Sequence, residues 1–200
     1  MFSGIVEGTG KVIEVIKHED HIQISISRKN SFWKGVKKGA SISVNGVCLT
    51  LTNIPEDFMS FDVIQETQNK TNISFLNKND FVNLERSMQA NTEIGGHLIS
   101  GHVHTKAKVL DILDKDKTRD IRFEIDDNYS KYIFEKGYVG INGCSLTVGK
   151  KTKKWFEVYL IPETLSKTNL KYLKKDDYVN IECDQNTITI VDTTERILNR

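Results

Sequence analysis

The sequence has almost no net charge. Its 28 lysines and arginines are balanced by 27 aspartates and glutamates, which leaves a net charge of +1 at pH 7. No basic stripe with interleaved aromatic residues occurs, and proteins bind nucleic acids chiefly through positive charge. We therefore expect no nucleic-acid partner. The content of 38% hydrophobic and 28% charged residues is typical of a globular protein.

Cysteine is scarce, and long apolar segments are missing. The three cysteines, Cys48, Cys144 and Cys183, form no closely spaced pair of the kind that binds zinc or exchanges disulfides, so we expect free thiols in a reducing compartment. No segment approaches the roughly 20 apolar residues of a membrane span. Residues Met1 to Glu7 lack the features of a signal peptide. These absences predict a cytoplasmic protein without a membrane partner.

The sequence repeats itself at a constant offset of 97 residues. A constant offset without insertions indicates duplication of a folded unit. We place the units at 1–97, including a linker from Gln89 to Gly96, and at 98–186, whereas residues 187–200 have no counterpart. The matching segments are NGVCLT at 45–50 with NGCSLT at 142–147, ET at 66–67 with 163–164, KTN at 70–72 with 167–169, VNLE at 82–85 with VNIE at 179–182, and SG at 3–4 with 100–101.

Each unit contains short segments in which apolar and polar residues alternate. Such alternation predicts strands with one buried face, and a unit of this size holds about six strands of ordinary length. A sheet that closes on itself has no exposed edges, so the predicted fold class is all-β with one small barrel per unit. Examples of the buried positions are Ile22, Ile24 and Ile26 in the first unit and Ile121, Phe123 and Ile125 in the second.

Three helices are expected beside the strands. Helical spacing predicts one short helix in each unit, at Glu66 to Leu76 and at Glu163 to Leu173. Near the end of the chain, Asp192 and Glu195 resemble a capping box, which predicts a C-terminal helix. A helix this short needs a packing partner, so we hypothesise that it joins copies of the chain into a homo-oligomer. Its apolar face would consist of Ile190, Ile197 and Leu198.

The two Asn-Gly segments are the most specific candidates for a binding site. Asn-Gly is first a turn signal, and each segment can be a hairpin with no further role. Alternatively, Cys48 with Thr50, and Ser145 with Thr147, share a strand face and can form hydrogen bonds with a polar ligand. The pairs Glu66-Thr67 and Glu163-Thr164 also permit two interpretations. They begin helices, where acids are favoured, or they contact ligand hydroxyls and ring nitrogens.

Three of the five histidines, His97, His102 and His104, are close together at the start of the second unit. Their spacing matches no standard zinc pattern, so we do not expect a metal site. A histidine acting as a general base is the better interpretation, because its pKa lies near working pH. His102 stands where the first unit has Ile5, so two pockets of similar shape should differ in proton chemistry.

Several of these segments, in this order and at these separations, resemble a known family. They are MFSGIVE at 1–7, NGVCLT at 45–50, GGHLISGHV at 95–103, the second G-x-S-L-T and IPETL at 161–165. Over essentially its whole length the chain resembles the alpha-chain riboflavin synthases, a lumazine-binding family. The resemblance implies two six-stranded Greek-key barrels, a homotrimer that a C-terminal helix helps to hold, and active sites between the N-terminal barrel of one subunit and the C-terminal barrel of its neighbour.

The reaction that the resemblance implies is the dismutation of two molecules of 6,7-dimethyl-8-ribityllumazine. One molecule gives a four-carbon unit to the other, and the products are riboflavin and 5-amino-6-(D-ribitylamino)uracil. No cofactor is implied, because the redox change is internal to the substrate pair. The alternative is a non-catalytic lumazine- or flavin-binding protein of the same family.

The resemblance also assigns residues. Catalysis is assigned to His102, Cys48, Ser145 and Asp184. Substrate contacts of the first pocket are assigned to Gly4, Ile5, Val6, Cys48, Leu49, Thr50, Asp62, Val63, Ile64, Gln65, Glu66 and Thr67. Those of the second are assigned to Gly101, His102, Val103, Lys136, Ser145, Leu146, Thr147, Leu160, Ile161, Pro162, Glu163, Thr164 and Leu165. Asn142 departs from the pattern, since many relatives carry Asp there, and this puts a proton-transfer role at position 142 in doubt.

Overall fold

The two halves of the chain fold into two six-stranded antiparallel units. The computed structural model describes residues 1–27, 31–91 and 93–199. The first unit is a closed barrel with strand order β1-β2-β5-β4-β3-β6. Strand β2 therefore neighbours β5 rather than β3, as in a Greek key. The strands are β1 (Gly8–Lys17), β2 (His21–Ser27), β3 (Ser41–Val44), β4 (Val47–Asn53), β5 (Phe58–Ile64) and β6 (Phe81–Arg86).

Alternating side chains of these strands fill the first barrel. On β2, Ile24 and Ile26 are completely buried and Ile22 is nearly so. They share a core with Met59 and Phe61 of β5, which is hydrogen-bonded to β2. Full burial of one such side chain contributes about 1.5–3 kcal/mol. The alternation seen in the sequence thus places one face of each strand in the barrel core.

The second unit repeats this arrangement with an irregular seam. Its strands are β7 (Thr105–Asp114), β8 (Arg119–Glu124), β9 (Tyr138–Ile141), β10 (Cys144–Thr147), β11 (Trp155–Leu160) and β12 (Tyr178–Cys183), in the order β10-β9-β12-β7-β8-β11. Strand β10 ends early, and the seam continues through Gly149 N, which donates to Glu157 O at 2.7 Å, and Glu157 N, which donates to Lys150 O at 2.9 Å. The predicted pair of six-stranded barrels is confirmed, with the second barrel nearly closed.

The helix predicted in each unit is divided into two pieces. The first unit has α1 (Gln65–Lys70) and a 3₁₀ turn (Asn72–Phe75), and the second has α2 (Pro162–Lys167) and a 3₁₀ turn (Asn169–Tyr172). Between the first two pieces, the extended Thr71 donates its hydroxyl to Thr67 O at 2.7 Å and accepts from Ile73 N at 3.4 Å. This side chain ends one piece and caps the next. The predicted continuous helices at Glu66 to Leu76 and Glu163 to Leu173 are therefore wrong in extent.

The C-terminal helix is present and begins earlier than the sequence pattern indicated. Helix α3 covers Gln185–Leu198, and Asp184 caps it by accepting from Thr187 N at 2.8 Å. Asp192 is not a cap. It lies inside the helix and accepts from Tyr132 Oη, in the 3₁₀ turn Ser130–Tyr132, at 2.6 Å, which ties α3 to the second barrel. Within the described residues, no helix has the length and apolar character needed to span a membrane.

Six buried asparagines join the two barrels. Three come from each repeat, and they are related by the offset of 97 residues. The contacts are reciprocal: Asn72 N donates to Asn180 Oδ1 at 2.6 Å, and Asn169 N donates to Asn83 Oδ1 at 2.6 Å. Reciprocal contacts indicate a pseudo-twofold axis between the repeats. The six residues are Asn45, Asn72, Asn83, Asn142, Asn169 and Asn180, each less than 10% exposed.

The two Asn-Gly turns meet at this axis. Each turn connects a short hairpin, and Gly46 and Gly143 have φ values of +80° and +78°. A Cβ atom on Gly46 would lie 2.6 Å from Gly143 N, so the two backbones are in direct contact. The turn interpretation of both segments is confirmed. In addition, these turns form the contact between the barrels, which the sequence did not indicate.

Replacing Gly46 by alanine should destabilise the protein more than replacing Gly39 does. Both glycines have positive φ, +80° and +88°, but a Cβ on Gly39 would have no atom within 4 Å. Gly39→Ala should cost about 1–2 kcal/mol of unfolding free energy for the backbone conformation alone, whereas Gly46→Ala adds an overpacking cost of about 1–3 kcal/mol. Urea denaturation measures both. Equal losses in the two variants would contradict the close contact between the turns.

Candidate functional site

Two short segments cross from one repeat onto the barrel of the other. Residues 1–6 lie on the second barrel, where Ser145 N donates to Gly4 O at 2.8 Å and Val6 joins the core. Residues 99–103 lie on the first barrel, where Cys48 N donates to Gly101 O at 3.0 Å and Val103 packs on the core. We call these the crossing segments. Within this chain, residues 4–6 therefore lie beside the second barrel and residues 101–103 beside the first, whereas the sequence analysis grouped each segment with the barrel of its own repeat.

The crossing segments pair with each other and are held by two buried glutamates. Phe2 and Ile99, which are equivalent in the repeat, form an antiparallel bridge. Glu85 accepts from Ser3 N at 2.6 Å and from Ser3 Oγ at 2.8 Å. Glu182 accepts from Ser100 N and Ser100 Oγ, both at 2.7 Å. These glutamates end the VNLE and VNIE motifs, and sequence reasoning assigned them no role.

Burial and hydrogen bonding act on Glu85 in opposite directions. Desolvation raises the pKa of its carboxyl to about 7, while the hydrogen bonds from Ser3 and Gly4 lower it. Burial is the larger effect. Glu85 therefore exchanges a proton near neutral pH at the point where it holds the first crossing segment.

The first half-site is a cleft of about 240 Å³ between the first barrel and the second crossing segment. The barrel contributes Val47, Cys48, Glu66, Thr67, Lys70 and Thr71, and the crossing segment contributes Gly101, His102 and Val103. A Cβ on Gly101 would lie 2.5 Å from Cys48 Cβ, so glycine is required for this approach. Lys70 Nζ donates to Glu66 at 2.9 Å and lowers the pKa of that carboxyl. The cleft thus combines a thiol, an imidazole, hydroxyls and an ion pair.

The second half-site has the same construction with different side chains. Ser145 replaces Cys48, and a Cβ on Gly4 would lie 2.6 Å from Ser145 Cβ. Ile5, which is 48% exposed, takes the place of His102. The histidine of this half-site is His97, whose Nδ1 lies 2.6 Å from Ser145 Oγ. The two half-sites of this chain therefore differ in their side chains: His102 lies beside the first barrel, and His97, which is not among the predicted site residues, lies beside Ser145.

Lys136, a predicted substrate contact, has an unusual backbone conformation. Its φ is +65°, a left-handed conformation that costs a non-glycine residue about 1–2 kcal/mol. The equivalent residue of the first repeat is Gly39, with a φ of +88°. The Lys136 side chain is exposed, and its contact with a substrate stays a prediction.

Several other predicted contact residues lie outside the first cleft. Among the described residues, the cleft lining does not include Leu49, Thr50 or residues 62–65. Leu49, Val63 and Leu160 are buried in the barrel cores. By contrast, Thr50, Asp62, Ile64, Gln65, Thr147, Ile161, Pro162 and Glu163 are exposed, and Leu146, Thr164 and Leu165 are partly buried.

Three further polar residues of the sequence analysis have structural partners. Asp184 caps α3. His104 Nδ1 accepts from Cys183 N at 3.2 Å, as its counterpart Glu7 accepts from Arg86 N at 2.8 Å. Asn142 Oδ1 accepts from Asn180 N at 2.8 Å and from Asn72 Nδ2 of the first repeat at 3.1 Å, so its side chain takes part in the contact between the barrels.

The cysteines differ in accessibility. Burial raises the pKa of Cys144 and of Cys183 to about 12, which makes both thiols unreactive. Cys48 is partly exposed and lines the first cleft. Cys48 is therefore the thiol available to a ligand.

Comparison with known proteins defines the class to which this double barrel belongs. The lumazine-binding domain model matches residues 3–87 and 100–184. LumP complexed with riboflavin superposes with a TM-score of 0.87 at 27% identity, covering 92% of this chain and 100% of LumP. LumP complexed with 6,7-dimethyl-8-(1'-D-ribityl)lumazine gives a TM-score of 0.85. The fold is thus that of a tandem lumazine-binding protein.

Sequence relatives of known function define the family within this class. Riboflavin synthase of Escherichia coli K12 is 44% identical over 199 residues, covering 99% of this chain and 93% of the relative. Riboflavin synthase of Bacillus subtilis 168 is 37% identical over 184 residues, covering 92% and 85%. This chain belongs to the riboflavin synthase family, and its named relatives are enzymes.

Glu85 should make stability depend on pH between about 4.5 and 7. Because its folded-state pKa is raised from 4.5 to about 7, the folded state holds the proton more tightly than the unfolded state. The resulting stabilisation is complete below pH 4.5 and is lost as pH rises to about 7, by at most about 3 kcal/mol. Denaturation midpoints across this range should show the loss in the wild type and not in Glu85→Gln.

Asp114→Asn provides the control for this measurement. The pKa of Asp114 is lowered by Arg119, so its titration lies below the range in question. This variant should keep the wild-type slope. A slope that persists in Glu85→Gln would assign the pH dependence to another group.

Proposed function

We propose that this protein is a riboflavin synthase that converts two molecules of 6,7-dimethyl-8-ribityllumazine into riboflavin and 5-amino-6-(D-ribitylamino)uracil by transfer of a four-carbon unit. The observation that carries the proposal is the presence of two half-sites of the same construction on one chain. Two identical reactants call for two similar pockets. The identity of 44% with a named riboflavin synthase and the lumazine bound by LumP support the same conclusion.

The chemistry needs positioning more than it needs an external reagent. One lumazine is the donor and the other the acceptor, so electrons lost by one are gained by the other. Holding two reactants in a productive geometry is worth roughly 7–11 kcal/mol of the barrier. Two pockets that face each other about a local twofold axis would stack two like rings in opposite directions, with their reacting carbons in contact.

The proposed roles follow from the side chains of each half-site. In the first, His102 moves protons and Cys48 stabilises an anion or adduct at the reacting ring. In the second, Ser145 takes the place of Cys48, and the Lys136 ammonium offers a positive charge. Asp184, whose charge acts on His97, influences the second half-site from the start of α3.

A complete site requires a second copy of the chain. Within one chain, the bridge of Phe2 to Ile99 and the contact of Gly46 with Gly143 join the two repeats about their pseudo-twofold axis, and each half-site pairs one barrel with the crossing segment of the other repeat. We therefore propose a homotrimer in which the first half-site of one subunit faces the second half-site of its neighbour. Helix α3 offers a surface for assembly, because Ile190, Ile197 and Leu198 are 67%, 63% and 79% exposed.

A cytoplasmic location is part of the proposal. Cys48, Cys144 and Cys183 are all free thiols. Thiols persist in the reducing environment of the cytoplasm. The substrate pair also supplies its own oxidant and reductant, so the reaction does not depend on an oxidising compartment.

The alternative is a lumazine-binding protein without turnover. It is favoured by the TM-score of 0.87 with LumP, whose bound riboflavin shows that this fold can hold a flavin. The higher sequence identity to the synthases, 44% against 27%, favours the enzyme. Both activities use the same half-sites, so only a reaction assay separates them.

The purified protein should convert 6,7-dimethyl-8-ribityllumazine into riboflavin without any added cofactor. Chromatography should show one riboflavin and one pyrimidine formed for two lumazines consumed. His102→Gln should lower kcat about 100-fold, the usual effect of losing a general acid or base. His21→Gln, the same change on the outside of the first barrel, should leave kcat unchanged. Bound lumazine that never yields riboflavin would instead support the non-catalytic alternative.

A further inference from the structure

His97 and Ser145 form a hydrogen-bonded pair in the second half-site. The distance between His97 Nδ1 and Ser145 Oγ is 2.6 Å, which is typical of a hydroxyl paired with the base that activates it. The residues are 48 positions apart in the chain. They meet because the chain passes from one barrel to the other just before the second crossing segment.

The surroundings hold the histidine ring in one place. Its residue surface is only 8% exposed, and its ring stacks on Tyr138 with a centroid distance of 5.2 Å and an angle of 16°. Gly96 lets the backbone approach closely, because a Cβ there would lie 2.7 Å from Ser145 Cβ and in contact with Ser3 O. Nδ1 is therefore fixed next to the serine hydroxyl.

The imidazole is in the state that accepts a proton. Burial lowers the pKa of His97, and the carboxylates of Asp184 and Glu182 oppose this effect without cancelling it. The ring is thus neutral near pH 7, with one nitrogen that donates and one that accepts. When Ser145 donates its hydroxyl proton to Nδ1, the lone pairs of Oγ remain free for a ligand.

The first half-site contains different groups at the equivalent positions. Cys48 stands in place of Ser145, and the cleft that it lines contains His102. In the second half-site, Ile5 occupies the position that is equivalent to His102 of the first. A different segment therefore brings a histidine to each half-site. The pair of His97 with Ser145 serves the second half-site.

We propose that Ser145 and His97 relay a proton away from the ligand of the second half-site, an inference that rests on the proposed function. Ser145 Oγ accepts a proton from a ring methyl group of the lumazine while its own hydroxyl proton passes to His97 Nδ1. A C–H bond and the original O–H bond break, and a new O–H bond and an N–H bond form. The electron pair stays on the ligand as a delocalised anion. Ser145 is the catalytic residue, and His97 is a positioning residue that acts through it.

A double-mutant cycle tests this relay. The first readout is exchange of methyl protons of bound 6,7-dimethyl-8-ribityllumazine with D₂O, followed by NMR, and the second is riboflavin formation. Ser145→Ala and His97→Phe should each slow exchange about 100-fold. The double variant should be no slower than the slower single variant, because two residues that act as a unit are not additive. His18→Phe, on the exposed turn between β1 and β2, is the control and should match the wild type.

Two measurements separate this role from a purely structural one. His97→Phe keeps a ring to stack on Tyr138 and should bind lumazine within about threefold of the wild type, since only the reactive step is affected. His97→Asn keeps an acceptor for the serine hydroxyl and should recover about 10-fold in exchange rate. In the wild type, the exchange rate should fall at acidic pH, because the His97 imidazole, which faces Tyr138, Glu182 and Asp184, becomes protonated. In His97→Asn, the exchange rate should not show this fall.

The outcomes distinguish the relay from the proposed function. Independent, multiplicative effects of the two substitutions would overturn the relay, as would unchanged exchange in His97→Phe with lumazine bound. Loss of lumazine binding in both His97 variants would also overturn it. If the wild type exchanged methyl protons through His97 but formed no riboflavin, the relay would stand and the proposed synthase activity would be rejected.

Discussion

The rest of the structure depends on the contact between the two repeats. Gly46 meets Gly143 backbone to backbone, and around them asparagines of each repeat bind backbone groups of the other. An unpaired polar group in this buried region would cost about 1–3 kcal/mol, so the amides work only as a complete set. All of these hydrogen bonds form together only in one relative orientation of the barrels. The polar interface therefore fixes that orientation.

The fixed orientation allows the crossing segments to be exchanged. Gly4 reaches Ser145 and Gly101 reaches Cys48 only because both repeats present their turns to the same axis. Each half-site therefore contains backbone from both copies of the duplicated unit. Since residues 5 and 102 differ, duplication gave two half-sites of the same backbone construction with different side chains. This difference suits the proposed reaction, in which two identical molecules play different parts.

The sequence predicted the regular part of the fold. Alternation at Ile22, Ile24 and Ile26 predicted β2, and the constant offset predicted the duplication. The break at Thr71 was missed because it results from hydroxyl contacts that compete with a helical pattern. The start of α3 was misplaced because Asp192 to Glu195 resembles a cap, whereas Asp184 is the cap in the structure.

The sequence predicted less of the candidate site. The Asn45-Gly46 sequence is fully accounted for by a turn, so the sequence pattern gave no reason to expect its contact with the other repeat. Glu85 lies in a repeated motif, yet its buried partners, Ser3 and Gly4, are 82 and 81 residues away. The exchange of the crossing segments follows from the packing of two barrels, and a linear pattern within either repeat carries no record of that packing.

Complementation between defective subunits tests most directly whether half-sites of different subunits work together. His102→Gln and Ser145→Ala disable different half-sites, so random assembly after coexpression should rebuild about a quarter of the sites from intact halves. Coexpression of His102→Gln with Cys48→Ala, which disable the same half-site, should rebuild none. The account predicts riboflavin formation in the first mixture well above that in the second. Equal, residual activity in both mixtures would contradict it.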